Sequence, residues 1–233
     1  MSTGGVVAQR SKPWNGLALD FDSISPTDLD RFAYVITTNT PYASQAPANF
    51  QLVARRRLYD LWKRTGRTPP FQVIEPPGAP GAILDCHTAP GRSLRASRGV
   101  AAVMTTPVLA PGVSLSAGQS ASTSIALPAG RWELSAEYLS YFSLDFSAAG
   151  RQWTMPAYLG RNGPWFAVGE IAGRGVHSPV TVKITAQRPS PLTGRLVTAV
   201  SVYQLAATRV PDTRRLLPLR NACGKYVDWY RLS

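Results

Sequence analysis

A chain of 233 residues with 44% hydrophobic content can bury a sizeable core, as one large β domain or as a small domain beside a medium one. Only 16% of its residues are charged, whereas prolines number 20 and glycines 19, a balance that suits short strands joined by many turns. Its 25 cationic and 13 acidic side chains give a net charge of +12, which favours anionic partners; yet the cations are scattered, with Arg55-Arg56-Arg57 the densest run, and the absence of a basic helix or nucleic-acid fingerprint sets nucleic acid aside as a partner.

Residues 1–15 are small and polar and lack the apolar run of a signal peptide. No stretch approaches the roughly 18 consecutive apolar residues of a membrane span, so the chain reads as carrying no targeting signal of its own. Ser25 is a good helix N-cap, Pro26 suits the first helical position and Asp28 falls three residues after the cap, which predicts a short helix over 26–31. It feeds a strand over 32–38. NFQLVAR (49–55) and RLYDLWKRT (57–65) predict a β-hairpin, and the second strand has apolar groups on both faces, as a strand covered on both sides or an edge strand under a helix would. This small α/β unit, residues 1–68, has too few strands to bury a core alone and is expected to lean on the larger domain. Residues 69–81 are dense in proline and glycine and predict a linker, because proline fixes φ and removes a donor.

Residues 82–233 predict a β-sandwich. AILDC (82–86), VAAVMTT (100–106), SASTSIAL (120–127), VTVKITA (180–186), RLVTAVSVYQLAA (195–207) and KYVDWYRL (225–232) read as strands, with a polar loop after the first. The aromatic midsection spans 131–171. There Trp132, Leu134, Ala136 and Tyr138 alternate with Arg131, Glu133, Ser135 and Glu137, one buried face and one wet face. FSLDFSA repeats the pattern with Phe142, Leu144 and Phe146 inward. Turns at 128–130, 149–150 and 162–163 separate the runs. Roughly eight or nine short strands at this spacing predict a mainly β fold, an antiparallel sandwich of jelly-roll, carbohydrate-binding-module-like type.

No catalytic signature stands out. His87 and His177 are the only histidines, no GxSxG elbow occurs, and both read as exposed loop residues. Glu133 and Glu137 lie two pleats apart on one face and read as solvated rather than as the paired carboxylates of glycoside hydrolysis. Asp20, Asp22, Asp28 and Asp30 cluster in sequence without the spacing of an EF-hand, and two cysteines without a CxxC pair argue against zinc; neither a metal nor a cofactor is expected. Cys86 and Cys223 either pair, which needs an oxidising compartment, or remain thiols; each flanks a strand-like run near an edge of the sandwich, which favours pairing. The remaining lead is aromatic. Trp153, Tyr158 and Trp165 occur around turns near Arg151, Arg161 and Asn162. Aromatic faces suit the C–H surface of sugars, and guanidinium and amide groups suit the hydroxyls, so these six residues are candidates for carbohydrate binding; the alternative is that the aromatics cap the ends of the core.

DLDRFAYVITTNTPY, NFQLV and YDLWKRTG, followed by GRWELSAEYLS and WTMPA, resemble the extracytoplasmic C-terminal region of actinobacterial polytopic membrane proteins related to GT-C glycosyltransferases. The matching residues are 31–41, 49–53, 59–66, 130–140 and 153–157, and the likeness covers most of the chain from residue 14 onward. Such enzymes hold their catalytic acid in a loop near the first membrane helices, so the resemblance implies a detached, non-catalytic part of a glycosyltransferase. It implies a place at the extracytoplasmic face of the cell membrane when joined to its membrane part. The partners expected are that membrane-embedded part, a cell-envelope glycan and an anionic membrane surface.

Overall fold

The structure is a computed structural model and describes residues 20–74, 81–159, 164–188, 199–211 and 214–233. It begins as the capping signals predict. The Ser25 hydroxyl accepts from the Asp28 N–H and donates to the Asp28 carboxylate, starting a one-turn helix, α1 (Pro26–Leu29). Strands β1 (Tyr34–Thr38), β2 (Phe50–Arg55) and β3 (Tyr59–Arg64) form an antiparallel sheet in the order β1-β3-β2, with β2 and β3 as the predicted hairpin. The face of β3 carrying Trp62 is packed, whereas the opposite face is covered only at its end, where Tyr59 meets the sandwich. Phe21, Ile24, Leu29 and Phe50 meet the Trp62 face, and Phe71, Val73, Ala102 and Trp229 complete the cluster.

Two of those residues come from the stretch expected to be a linker. Phe71 and Val73 are buried, and Gln72 exchanges two 2.8 Å backbone hydrogen bonds with Tyr230. No proline falls between Pro70 and Pro76, which leaves Phe71, Gln72 and Val73 free to alternate as a strand does. Residues 75–80 of that stretch lie outside the described residues. The small unit thus leans on the rest of the chain through a shared aromatic core, as its low strand count requires.

The remaining strands are β4 (Ala82–Ile83), β5 (Gly99–Met104), β6 (Val108–Ser116), β7 (Ser120–Ile125), β8 (Gly130–Leu139), β9 (Leu144–Ala148), β10 (Arg151–Met155), β11 (Trp165–Gly173), β12 (Val180–Ala186), β13 (Ala199–Arg209), β14 (Arg215–Pro218) and β15 (Tyr226–Leu232). Two four-stranded antiparallel sheets, β11-β8-β13-β6 and β10-β9-β12-β7, pack face to face as a β-sandwich. Their shared core holds Trp132, Leu134, Ala136 and Tyr138 from β8 against Phe146 of β9 and Val182 and Ile184 of β12. The alternation read in the midsection is therefore the inward face. A third four-stranded sheet, β14-β5-β15-β4, has its own core around Ala101, Val103, Val227 and Tyr230. Cys86 and Cys223 form a disulfide with Cα atoms 5.6 Å apart, which clasps the end of β4 to the turn before β15.

Three elements, and one face of a fourth, differ from expectation. The polar loop after residue 86 contains α2 (Ala89–Ala96), capped by the Thr88 hydroxyl, with proline in its first turn and Leu94 buried. The run from 108 to 116, with Pro111 and Gly112 inside it, carries no expected element and is β6. Proline is tolerated there because β6 is an edge strand, where the missing N–H breaks no ladder. β14 ends on Pro218 at another edge for the same reason. The face of β8 expected to be wet is partly covered: Ser135 is 0% exposed, and its hydroxyl lies 2.6 Å from that of Thr40. The loop after β1 folds over this side of the sandwich.

Candidate functional site

The six carbohydrate-binding candidates occupy different surroundings. Trp153 of β10 packs half-buried against the sandwich core, and its indole lies over Gly169 of β11; a methyl group on Gly169 would stand 2.1 Å from the indole nitrogen. Arg151 donates to the Glu170 carbonyl at 3.1 Å, so the two residues join edge strands β10 and β11 and close one side of the sandwich. Trp165 is buried, edge-on to Tyr42 with ring centroids 4.3 Å apart, and packs with Ala206 beneath the covering loop. Arg161 and Asn162, with the 162–163 turn, lie outside the described residues. Trp153 and Trp165 thus fill space within the protein, as core-capping aromatics do.

Tyr158 belongs to a different group. Its backbone pairs with Ser140, and its ring lies 5.3 Å from Phe166 and 6.4 Å from Tyr138. Tyr59, from the β2–β3 hairpin, meets Phe166 edge-on at 5.8 Å and is 39% exposed. Arg57, in the same hairpin turn, donates to the Thr154 carbonyl at 2.8 Å. Tyr138 is buried and donates its hydroxyl to the Pro156 carbonyl at 2.9 Å. Burial pushes the Tyr138 phenol upward, with Tyr59 and Tyr158 adding to the effect and the Arg57 charge opposing it. Burial and then Tyr59 raise Tyr158 in the same way. Both phenols therefore stay neutral at physiological pH and can donate as well as accept. The result is a half-wet junction of aromatic rings, phenol hydroxyls and a guanidinium where the hairpin meets the sandwich. Alternation in β3 places Tyr59 and Leu61 on one face, but no local signal says that the sandwich lies against Tyr59.

Carboxylates gather at two other places. On the partly covered face, Glu133 of β8 stands opposite Glu170 of β11 and Thr208 of β13. Arg131 grips Glu170 as a fork at 2.8–3.2 Å. Burial, reinforced by Glu170, lifts Glu133 to about 7, and burial also raises Glu137. Deeper in the protein, Asp20 accepts the Ser44 N–H and Asp228 the Gln45 N–H, each at 2.6 Å, so both carboxylates pin the covering loop. Burial raises Asp20 and Asp228; Asp22 and Asp20 push Asp228 further up, while Arg214 opposes both shifts. Asp28 serves the α1 cap, and Asp30 accepts from the Thr68 N–H and hydroxyl. Among the described residues no group of three or more histidines, cysteines or carboxylates is placed to hold a metal. Both histidines are exposed.

These features define a β-sandwich protein clasped by one disulfide and carrying a small antiparallel sheet on its flank. No protein-family model matches the chain, and no curated protein matches it. Among solved structures, the insecticidal crystal protein Cry2Aa is similar with a TM-score of 0.27 and 12% identity, covering 75% of this chain. This chain spans 29% of that protein's length, and a likeness so slight carries no argument about function. No helix among the described residues is long and apolar enough to cross a membrane.

Proposed function

We propose that this chain is a non-catalytic extracytoplasmic accessory module of a cell-envelope membrane glycosyltransferase, and that its tyrosine junction binds a glycan of the envelope. The observation that carries the reading is where the family-like segments meet. Residues 31–41 supply β1 and Thr40, 59–66 supply β3, 130–140 supply β8, and 153–157 supply the end of β10 with Pro156. Thr40 touches Ser135, Tyr138 donates to Pro156, and Tyr59 reaches the environment of Tyr138. Segments distant in sequence share one task, joining the small sheet to the sandwich. That shared structural task supports the reading of an accessory module.

Three further observations support the reading. In the two facing sheets the chain crosses from one sheet to the other at every connection except β9–β10, which favours a jelly roll, the arrangement found in lectin domains. The disulfide suits an oxidising compartment. The junction offers flat apolar faces beside hydroxyl and guanidinium donors, which is the chemistry of sugar recognition.

Calorimetric titration with soluble fragments of envelope polysaccharide tests the glycan site. Tyr59→Ala and Tyr158→Ala are each expected to weaken binding about tenfold, the scale of a lost aromatic contact. Binding that both variants leave unchanged, or no binding at all, removes the glycan and leaves an interaction module. One observation favours a second reading, a complete enzyme. Glu133 and Glu170 face each other on paired strands in unlike environments, one half-protonated near pH 7 and the other held by Arg131. Turnover of a chromogenic glycoside that disappears in Glu133→Gln would establish that reading, and no turnover dismisses it.

A further inference from the structure

The small sheet has a second face, which is covered only at one end, where Tyr59 meets Phe166. The registers of β1 and β2 on β3 place Ile36, Leu61 and Ala54 in one cross-strand row and Tyr34, Lys63 and Gln51 in the next. A bulge between Leu52 and Ala54 adds Val53 to the first row, two residues facing one. Tyr34 is 53% exposed, Ile36 66% and Val53 54%. Single exposed apolar side chains are ordinary, but a contiguous set on one sheet face marks an interaction surface. The opposite face is packed through Trp62 and Phe50, with Leu52 exposed at its margin.

The surrounding charge identifies what covers this face. Lys63 rises from its middle, with Arg56 at the hairpin turn and Arg31 and Arg67 at the far end, all exposed. From residue 31 to residue 67 the one acidic side chain is Asp60, which is buried and gripped by Arg55; just before that stretch Asp28 and Asp30 stand 3.8 and 4.0 Å from Arg31 and Arg67, so the positive charge of the face rests on Lys63 and Arg56. A second copy would bring the same cations face to face. A nucleic acid would set phosphates against Ile36 and Val53. The interfacial layer of an anionic bilayer provides apolar depth and negative headgroups together. We propose that the outer face of β1-β3-β2 docks on an anionic lipid surface, with Tyr34, Ile36 and Val53 entering the interface and Lys63 and Arg56 meeting the headgroups. This docking does not rest on the glycan reading, because the residues it uses exclude Tyr59, Tyr158 and Arg57.

Co-sedimentation of the full chain with vesicles of phosphatidylcholine, and of phosphatidylcholine with roughly one-third phosphatidylglycerol, tests the proposal. The mixed vesicles are expected to bind at least about tenfold more tightly, with affinity falling as salt rises. The double variant Ile36→Ser with Val53→Ser is expected to lose about tenfold in partitioning at an unchanged melting temperature. Lys63→Glu, which removes no apolar group, is expected to weaken binding to the mixed vesicles alone. Binding that these variants leave unchanged overturns the proposal, as does failure to bind either vesicle. A dimer in sedimentation equilibrium that the serine pair dissolves also overturns it, by assigning the face to a second copy.

Discussion

Glu133 shows how one side chain can bring pH dependence to an otherwise quiet fold. Free in an unfolded chain it titrates near 4.5, whereas in the folded protein burial and Glu170 lift it to about 7. The folded state therefore holds a proton that the unfolded state releases. The stability tied to this group is complete below the lower value and is lost as pH rises through about 7. Glu133→Gln is expected to raise the melting temperature relative to the parent at pH 8 and to leave it almost unchanged at pH 4, as thermal unfolding at the two pH values would reveal. Asp20 and Asp228 are shifted in the same direction, so they add to the decline on the alkaline side. A different single-residue effect arises at Gly169. Adding a methyl there presses on the Trp153 indole, which is already seated over the strand. Gly169→Ala is expected to cost about 1–3 kcal/mol in urea unfolding, the range for overpacking.

At the scale of elements, the loop after β1 decides how the small sheet sits on the sandwich. Tyr42 is its anchor, buried against Trp165 and Ala206, while Asp20 and Asp228 hold the next backbone amides. Tyr42→Ala is expected to destabilise the protein by about 3–5 kcal/mol and to move Trp165 emission to longer wavelength as water reaches the indole. The same packing explains the partly dry outer face of β8. Alternation assigns Ser135 to solvent, and it does lie opposite the core; the loop then covers it. Edge position explains β6 and β14 in turn, since their prolines forbid only an interior place in a sheet.

At the scale of the whole molecule, the disulfide closes a long loop. Cys86 and Cys223 are 137 residues apart, and every strand of the two facing sheets lies between them. Restricting that loop in the unfolded chain is worth about 4–5 kcal/mol on chain-entropy grounds. The paired variant Cys86→Ala with Cys223→Ala is expected to lose stability of that order in urea unfolding, with the sandwich still formed by far-ultraviolet circular dichroism. The net charge of +12 is also a property of the whole molecule, since it raises encounter rates with any anionic surface and weakens with salt.

Much of this architecture is written in short-range pattern. Alternation over residues 132–138 and 144–146 identified the inward side chains of β8 and β9, and Ser25 with Pro26 identified α1, because pleat and cap geometry depend on neighbours a few residues away. The same kind of signal marks α2 at Thr88 and Pro90, where glycine in the first turn obscures it. What tertiary structure alone decided is which surfaces become covered: Trp165 beneath Tyr42, Ser135 beneath Thr40, Phe71 and Trp229 in one cluster, and the outer face of β1-β3-β2 left open. Those outcomes depend on contacts between residues far apart in the chain, where burial is a property of the partner as much as of the side chain, and no local periodicity encodes the partner.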